Sequence, residues 1–169
     1  MIESPLYFYS EKIISDIHFI IITDGKALKQ ILINSPLPSS SHQLIKKNSS
    51  DRNLLNTFSQ LEEYFFEERK EFSIQLEPDG TEFQKKVWKE LLKIPFGKTI
   101  SYKQLAELLG DKNLIRAVGK ANAANPIPVI IPCHRVIGTN GSLVGYSAGL
   151  EIKRKLLKLE KSLESNLFE

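Results

Sequence analysis

Apolar positions along the chain change rhythm near its middle. Leu6-Tyr7-Phe8-Tyr9 and residues 13–23 are dense in β-branched and aromatic side chains, which predicts strands. Asp24-Gly25 is a tight-turn signal before a third apolar run, 28–33. The three runs predict a small antiparallel sheet. Residues 35–41 and 46–51 are polar and Ser-rich and read as a surface loop. From Arg52 to about Lys70 the spacing becomes helical, with Leu54, Leu55, Phe58, Leu61, Phe65 and Phe66 on one apolar face and Asp51 as the N-cap. Residues 71–76 read as a returning strand, and Pro78-Asp79-Gly80 as a boundary turn.

Beyond that boundary helical spacing dominates. A helix is expected from Thr81 to about Leu92, with Phe83, Val87, Trp88 and Leu91 as its buried stripe and Pro95-Phe96-Gly97 after it. Ser101 caps a second helix over 102–109, which Gly110 ends. Asn113 starts a third helix, to about Ala124. Two short helices across a tight turn predict a helix-turn-helix. Val129-Ile130-Ile131 reads as a short buried strand, and residues 138–142 as a hairpin-like loop able to serve as a wing. A last helix runs to about Glu164, and 165–169 form a frayed tail. The expected fold class is α+β. Domain 1–79 is a small antiparallel sheet plus a helix, and domain 80–169 is a mostly helical winged helix-turn-helix.

Charge sharpens this division. The net charge of +3 conceals −4 over residues 1–79 (8 basic, 12 acidic) and +7 over residues 80–169 (15 basic, 8 acidic). A polyanion is the natural partner of the basic half. No apolar run approaches the ~20 residues that span a membrane. Glu3 and Glu11 at the start argue against a secretory signal. One cysteine allows no internal disulfide and no cysteine-based zinc cluster, and the three histidines are scattered, so no metal is expected. A free thiol fits a reducing, cytoplasmic setting.

That cysteine, Cys133, lies in Asn125-Pro126-Ile127-Pro128-Val129-Ile130-Ile131-Pro132-Cys133-His134-Arg135-Val136. Three prolines make the segment stiff and a poor helix. His134 and Arg135 beside the sulfur favour its ionised form, so Cys133 is a candidate nucleophile. A lone cysteine is more commonly a small core hydrophobe, and the residues alone leave both readings open.

Four blocks, in order, resemble the O6-alkylguanine-DNA alkyltransferase family (methylated-DNA–protein-cysteine methyltransferases). They are Phe83-Gln84 with Val87-Trp88, then Ile94-Pro95 with Gly97 and Ser101-Tyr102, then Arg116-Ala117-Val118-Gly119 leading to Asn125-Pro126, then Ile131 to Val136. A fifth, Gly145-Tyr146-Ser147-Ala148-Gly149-Leu150, leads to Glu160. The resemblance implies single-use transfer of an alkyl group from O6 of guanine, or O4 of thymine, in double-stranded DNA to Cys133. No cofactor takes part, and the protein acts as a monomer.

It further implies a Cys133–water–His134–Glu160 relay. Tyr102 would address guanine N3, and the backbone N–H of Ser147 would address O6. Tyr146 and Pro128 would wall the pocket, and the carbonyls of Cys133 and Val136 would take the exocyclic amine. Arg116 would enter the base stack in place of the extruded nucleotide, and Asn125 would tie its helix to the cysteine segment. Arg135 joins the expected DNA- and substrate-binding set. The N-terminal domain would be a diverged, reduced form of a ribonuclease-H-like fold. Leu114 and Ile115 stand where relatives have small residues, and Ala148 where glycine is frequent. The rival readings are a lesion-sensing alkyltransferase-like protein, which lacks the acceptor cysteine, a cysteine hydrolase, and a winged-helix regulator.

Overall fold

A computed structural model describes residues 6–39, 43–47 and 51–161. The chain divides into two compact units, Met1–Asp79 and Gly80–Glu169. No described helix is long and apolar enough to cross a membrane.

In the first unit, β1 (Leu6–Ile14), β2 (Ile17–Thr23), β3 (Leu28–Ile33) and β4 (Gln43–Lys46) form one sheet in the order β3-β2-β1-β4. β1, β2 and β3 are antiparallel, as expected. β4 runs parallel to β1, so the sheet is mixed rather than antiparallel. β4 is a four-residue, largely exposed edge strand, too short and too polar to show a period in the sequence. Ser15 and Asp16, at φ 48° and 64°, make the tight β1–β2 connection. Both central residues are left-handed, as a two-residue hairpin requires.

Helix α1 (Arg52–Phe65) is capped by Asp51, whose side chain accepts from the N–H groups of Asn53 and Leu54. Leu54, Phe58, Leu61, Tyr64 and Phe65 are buried, whereas Leu55 and Phe66 are exposed. The buried face is therefore narrower than the expected one, and the helix stops before Lys70. The strand expected over 71–76 is absent. Among the described residues Leu28 alone offers it backbone partners, accepting from Glu77 and donating to Gln75. β3 is an edge strand, but the segment meets it at the single bridge Leu28–Leu76 and is otherwise coil.

In the second unit, α2 (Glu82–Leu91) begins with a capping box between Thr81 and Gln84. The Trp88 Nε1–H donates to the Ala121 carbonyl at 2.9 Å, which fixes α2 against α4 (Ile115–Ala123). β5 (Ile100–Ser101) runs into α3 (Tyr102–Leu108), which Ser101 and Gln104 cap in the same reciprocal way. Gly110, at φ 94°, turns the chain into a 3-10 turn, Lys112–Leu114, ahead of α4. A second 3-10 turn, Cys133–Arg135, leads into β6 (Val136–Ile137), parallel to β5. α5 (Leu150–Leu159) closes the described chain.

Two expectations change here. Residues 129–131 are buried but form a turn, with the Ile131 N–H donating to Ile127 O at 2.9 Å and Val129 at φ 74°. Prolines at 126, 128 and 132 withhold the donors a strand would need. The loop 138–142 closes on itself, with Gly138 N–H donating to Ser142 O and Gly141 N–H to Gly138 O. That closure is the hairpin-like loop expected, although no strand follows it among the described residues. The final helix ends at Leu159, and the expected stretch 162–169 lies outside the described residues.

Candidate active site

The turn after α4 exists to present one sulfur. Asn125 organises it: its Nδ2 donates to Ile131 O at 2.8 Å, and its Oδ1 accepts from the Ile127 N–H at 3.0 Å. The same Nδ2 donates to Cys133 Sγ at 3.0 Å. Asn125 thus ties α4 to the cysteine segment and also touches its sulfur. Val129 is β-branched and left-handed, a conformation that costs about 1–3 kcal/mol and is held by the packing around the turn. Because Cys133 opens a 3-10 turn rather than lying on a strand, Cys133 and His134 need not point to opposite faces.

His134 is fully buried, and its Nε2 lies 2.9 Å from Glu160 Oε1. Burial works against the Glu160 anion, but hydrogen bonds from His134 and Arg135 outweigh it and hold the carboxyl at about 2. An ionised Glu160 can only accept, so Nε2 carries the proton and Nδ1 keeps its lone pair. Nδ1 has no hydrogen-bond partner among the described residues. Burial lowers the pKa of His134, against the pull of Glu160, so the ring rests neutral. A neutral imidazole with a bare Nδ1 is a general base in waiting.

Arg135 does not reach the surface that the sequence reading gave it. It is buried, with Nε donating to Glu160 Oε2 at 2.9 Å and Nη2 to Oε1 at 2.8 Å. Nη1 donates to Ile94 O. This is a bidentate ion pair inside the unit, and it occupies the guanidinium expected at DNA or substrate. The Gly97 N–H donates to Glu160 Oε2 at 3.2 Å.

The thiol is correspondingly unlike the sequence expectation. Arg135 faces Glu160 and His134 is neutral, so burial dominates and pushes Cys133 up to about 11. The Asn125 hydrogen bond, the charge of Lys153 and the backbone N–H groups of Cys133 and His134 all act the other way. Cys133 therefore rests as a thiol.

The Tyr102 hydroxyl donates to Val144 O at 3.2 Å, with Gly145 O at 3.4 Å, and accepts from Asn122 Nδ2 at 3.4 Å. Asn122 Nδ2 also lies 3.4 Å from Cys133 O. Burial, and then the charge on Cys133, raise the pKa of Tyr102. Burial raises that of Tyr146 well above its ordinary value, and its hydroxyl is buried without a hydrogen-bond partner among the described residues. Pro128 is buried in the turn before Cys133, whereas Ser147 is exposed and Ala148 half-buried on the segment before α5. Arg116 is exposed in the first turn of α4, about 11 Å along the helix axis from Ala123. Ile115 beside it is 41% exposed and Leu114 half-buried.

Two residues that sequence reasoning missed complete the cluster, Asn122 and Lys153. Lys153 is fully buried, and its Nζ donates to Val136 O at 2.6 Å and to Val144 O at 2.8 Å. The Val136 carbonyl, expected to face substrate, thus accepts from the lysine with one lone pair and keeps the other. The signal was readable: Lys153 and Glu160 fall in phase with Leu156 and Leu157 on the apolar stripe of α5. No group of three or more metal-ligating side chains occurs among the described residues.

Residues 82–162 match the family model described as 6-O-methylguanine DNA methyltransferase, DNA binding domain. A methylated-DNA–protein-cysteine methyltransferase of Methanosarcina acetivorans is 56% identical over 103 residues, which cover 61% of this chain and 66% of that protein. The match thus spans just under two thirds of that relative's length. The crystal structure of Mycobacterium tuberculosis O6-methylguanine methyltransferase superposes with a TM-score of 0.82 at 36% identity, covering 97% of this chain and 100% of that one. A crystal structure of the M. tuberculosis protein in complex with DNA gives 0.78 at 36% identity, covering 96% and 99%.

Proposed function

The chain belongs to the O6-methylguanine-DNA methyltransferase family, and on that premise we propose that it repairs double-stranded DNA by taking an alkyl group, methyl above all, from O6 of guanine onto Cys133, once per molecule. O4 of thymine is a second acceptable donor. The observation that carries this reading is the environment of one sulfur. Asn125 donates to it, and the neighbouring imidazole has a bare Nδ1 and an Nε2 fixed by ionised Glu160.

The thiol proton passes through water to His134 Nδ1. The sulfur lone pair forms the S–C bond, and the C–O6 pair withdraws into guanine. The Tyr102 hydroxyl, which donates to Val144 O at rest, turns its proton to the ring of the departing base and is reprotonated from solvent, to which His134 gives up the proton it took from sulfur. The thioether formed is stable to water, so the protein is consumed. No cofactor enters this balance. The exposed Ser147 supplies a backbone N–H to O6, Tyr146 and Pro128 wall the base, and the carbonyls of Cys133 and Val136 receive its amine.

A stacked base cannot reach a sulfur this deeply buried, so the nucleotide is rotated out of the duplex at a cost of a few kcal/mol. Arg116 fills the gap from the minor groove, at the exposed head of α4. Unit 80–169 carries DNA binding and transfer, and unit 1–79 supports it. The protein works as a monomer in the cytoplasm.

Mass spectrometry after incubation with O6-methylguanine DNA tests the reading. One methyl on the Cys133 peptide, saturating at one equivalent, is expected, and none from Cys133→Ser, which still binds DNA. Repeated turnover would make the protein a hydrolase. DNA binding without methyl uptake would make it a lesion sensor. Arg116→Ala is expected to slow repair of duplex DNA more than attack on the free base, and equal losses would remove its extrusion role.

A further inference from the structure

The relay described above leaves one buried charge unused. Glu160 is neutralised by the two hydrogen bonds of Arg135, and His134 rests uncharged. With Cys133 as a thiol, the surplus charge of the cluster is Lys153, which is 0% exposed. Two of its three N–H donors hold Val136 O, in the segment that begins at Cys133, and Val144 O, in the segment that leads to Tyr146 and Ser147. Its Nζ also sits 5.9 Å from the centre of the Tyr102 ring. A methionine would fill the same length without a charge to bury, so packing alone does not call for lysine.

We propose that Lys153 is a positioning residue for alkyl transfer, bracing the two segments that wall the nucleobase pocket and remaining the cation that faces the sulfur as the thiolate forms. The inference rests on the methyl-acceptor reading of Cys133, and it assigns the charge compensation to a residue outside the His134–Glu160 pair. The electrostatics agree in direction. Lys153 favours the Cys133 anion and disfavours a charged His134. Burial lowers Lys153 itself to about 8, and the charge on Cys133 works against that fall. The titratable groups that face it are Cys133, His134 and Tyr102. A proton leaving sulfur therefore passes through His134 rather than resting there, and the resting partner of the thiolate is the lysine ammonium.

The test is the pH dependence of Cys133 alkylation by iodoacetamide, which needs neither DNA nor repair activity. In Lys153→Met the profile is expected to move up by about one pH unit, with a rate at pH 7.5 lower by about tenfold. Lys153→Arg, which keeps the charge, returns the profile to that of the native protein. A Lys153→Met profile that superimposes on the native one overturns the proposal. So does a faster reaction, which is what a loosened wall and an exposed sulfur would give.

If the native protein takes no methyl from DNA, the repair reading fails while the iodoacetamide profiles still decide the role of Lys153.

Discussion

Replacing Glu160 with glutamine removes one charge from a network that is otherwise sealed. Glu160 is 2% exposed and Arg135 6% exposed, and two of the guanidinium nitrogens donate to this carboxylate. In Glu160→Gln the guanidinium stays buried with a neutral amide in place of its counter-ion, and breaking such a pair from one side costs about 3–5 kcal/mol. The pKa shift gives an independent figure. A carboxyl held at about 2 rather than 4.5 contributes roughly 3 kcal/mol at 1.36 kcal/mol per unit. Because the folded pKa is the depressed one, this stability is fully present above pH 4.5 and is lost as pH falls towards 2. Urea unfolding of both proteins between pH 7 and pH 2.5 is the assay. The variant is expected to be about 3 kcal/mol less stable at neutral pH, with the difference shrinking below pH 4.5. Removing the opposing charge as well, in Glu160→Gln with Arg135→Met, is expected to recover part of the loss. A neutral-pH loss under about 1 kcal/mol, constant with pH, would refute the assignment of Glu160 as the anion that Arg135 and His134 share.

Three further outcomes follow from the same geometry. Iodoacetamide should modify native Cys133 about tenfold faster per pH unit up to about pH 8, where Lys153 starts to lose its proton, and the rate should still be rising towards the thiol's titration near 11, so a rate that stops rising at pH 8.5 would show an exposed, unperturbed sulfur. Asn125→Ala strips a donor from Sγ, leaves the Ile127 N–H unpaired and leaves Ile131 O with the Cys133 N–H alone, so thermal unfolding should report a loss of about 1–3 kcal/mol, and a loss within error would mean the turn holds itself. Trp88→Phe removes the donor to the buried Ala121 carbonyl, with an expected cost of about 1–3 kcal/mol in the same measurement, and no cost would mean that α2 is fixed to α4 by ring packing alone.

What the sequence made legible was local. Capping at Thr81 and Ser101 and the stop at Gly110 depend on neighbours three or four residues away, and each can be read from composition. Cys133, His134 and Glu160 were found through a motif. What the sequence hid was set by distant partners. Strand 71–76 had the right alternation, but only Leu28 pairs with it. Arg135 looked like a DNA contact because arginines beside a basic surface commonly are, and its inward turn depends on Glu160, 25 residues on. Asn122 belongs to the site through the carbonyl of Cys133, which no side-chain pattern announces, whereas Lys153 could have been read from its place on the apolar stripe of α5.

The resting state of the sulfur also bears on the proposed single use of the protein. Ionising Cys133 at pH 7 from a pKa of about 11 costs roughly 5 kcal/mol, so the thiolate is scarce until something offsets that cost. For an ordinary enzyme this would be a handicap on every turnover. For an acceptor that is destroyed by reaction it is protection, because a standing thiolate would be spent on any passing oxidant or alkylating agent. The same shift improves the attack when it comes, since nucleophilicity rises with thiol pKa and a shift from 8.5 to about 11 is worth on the order of tenfold. In the proposed reaction an extruded base closes the site, excludes water and brings its own acceptor for the Tyr102 proton. Burial, which suppresses the nucleophile at rest, thereby becomes the condition under which Lys153, Asn125 and the backbone N–H groups at Cys133 and His134 act on it without competition from solvent.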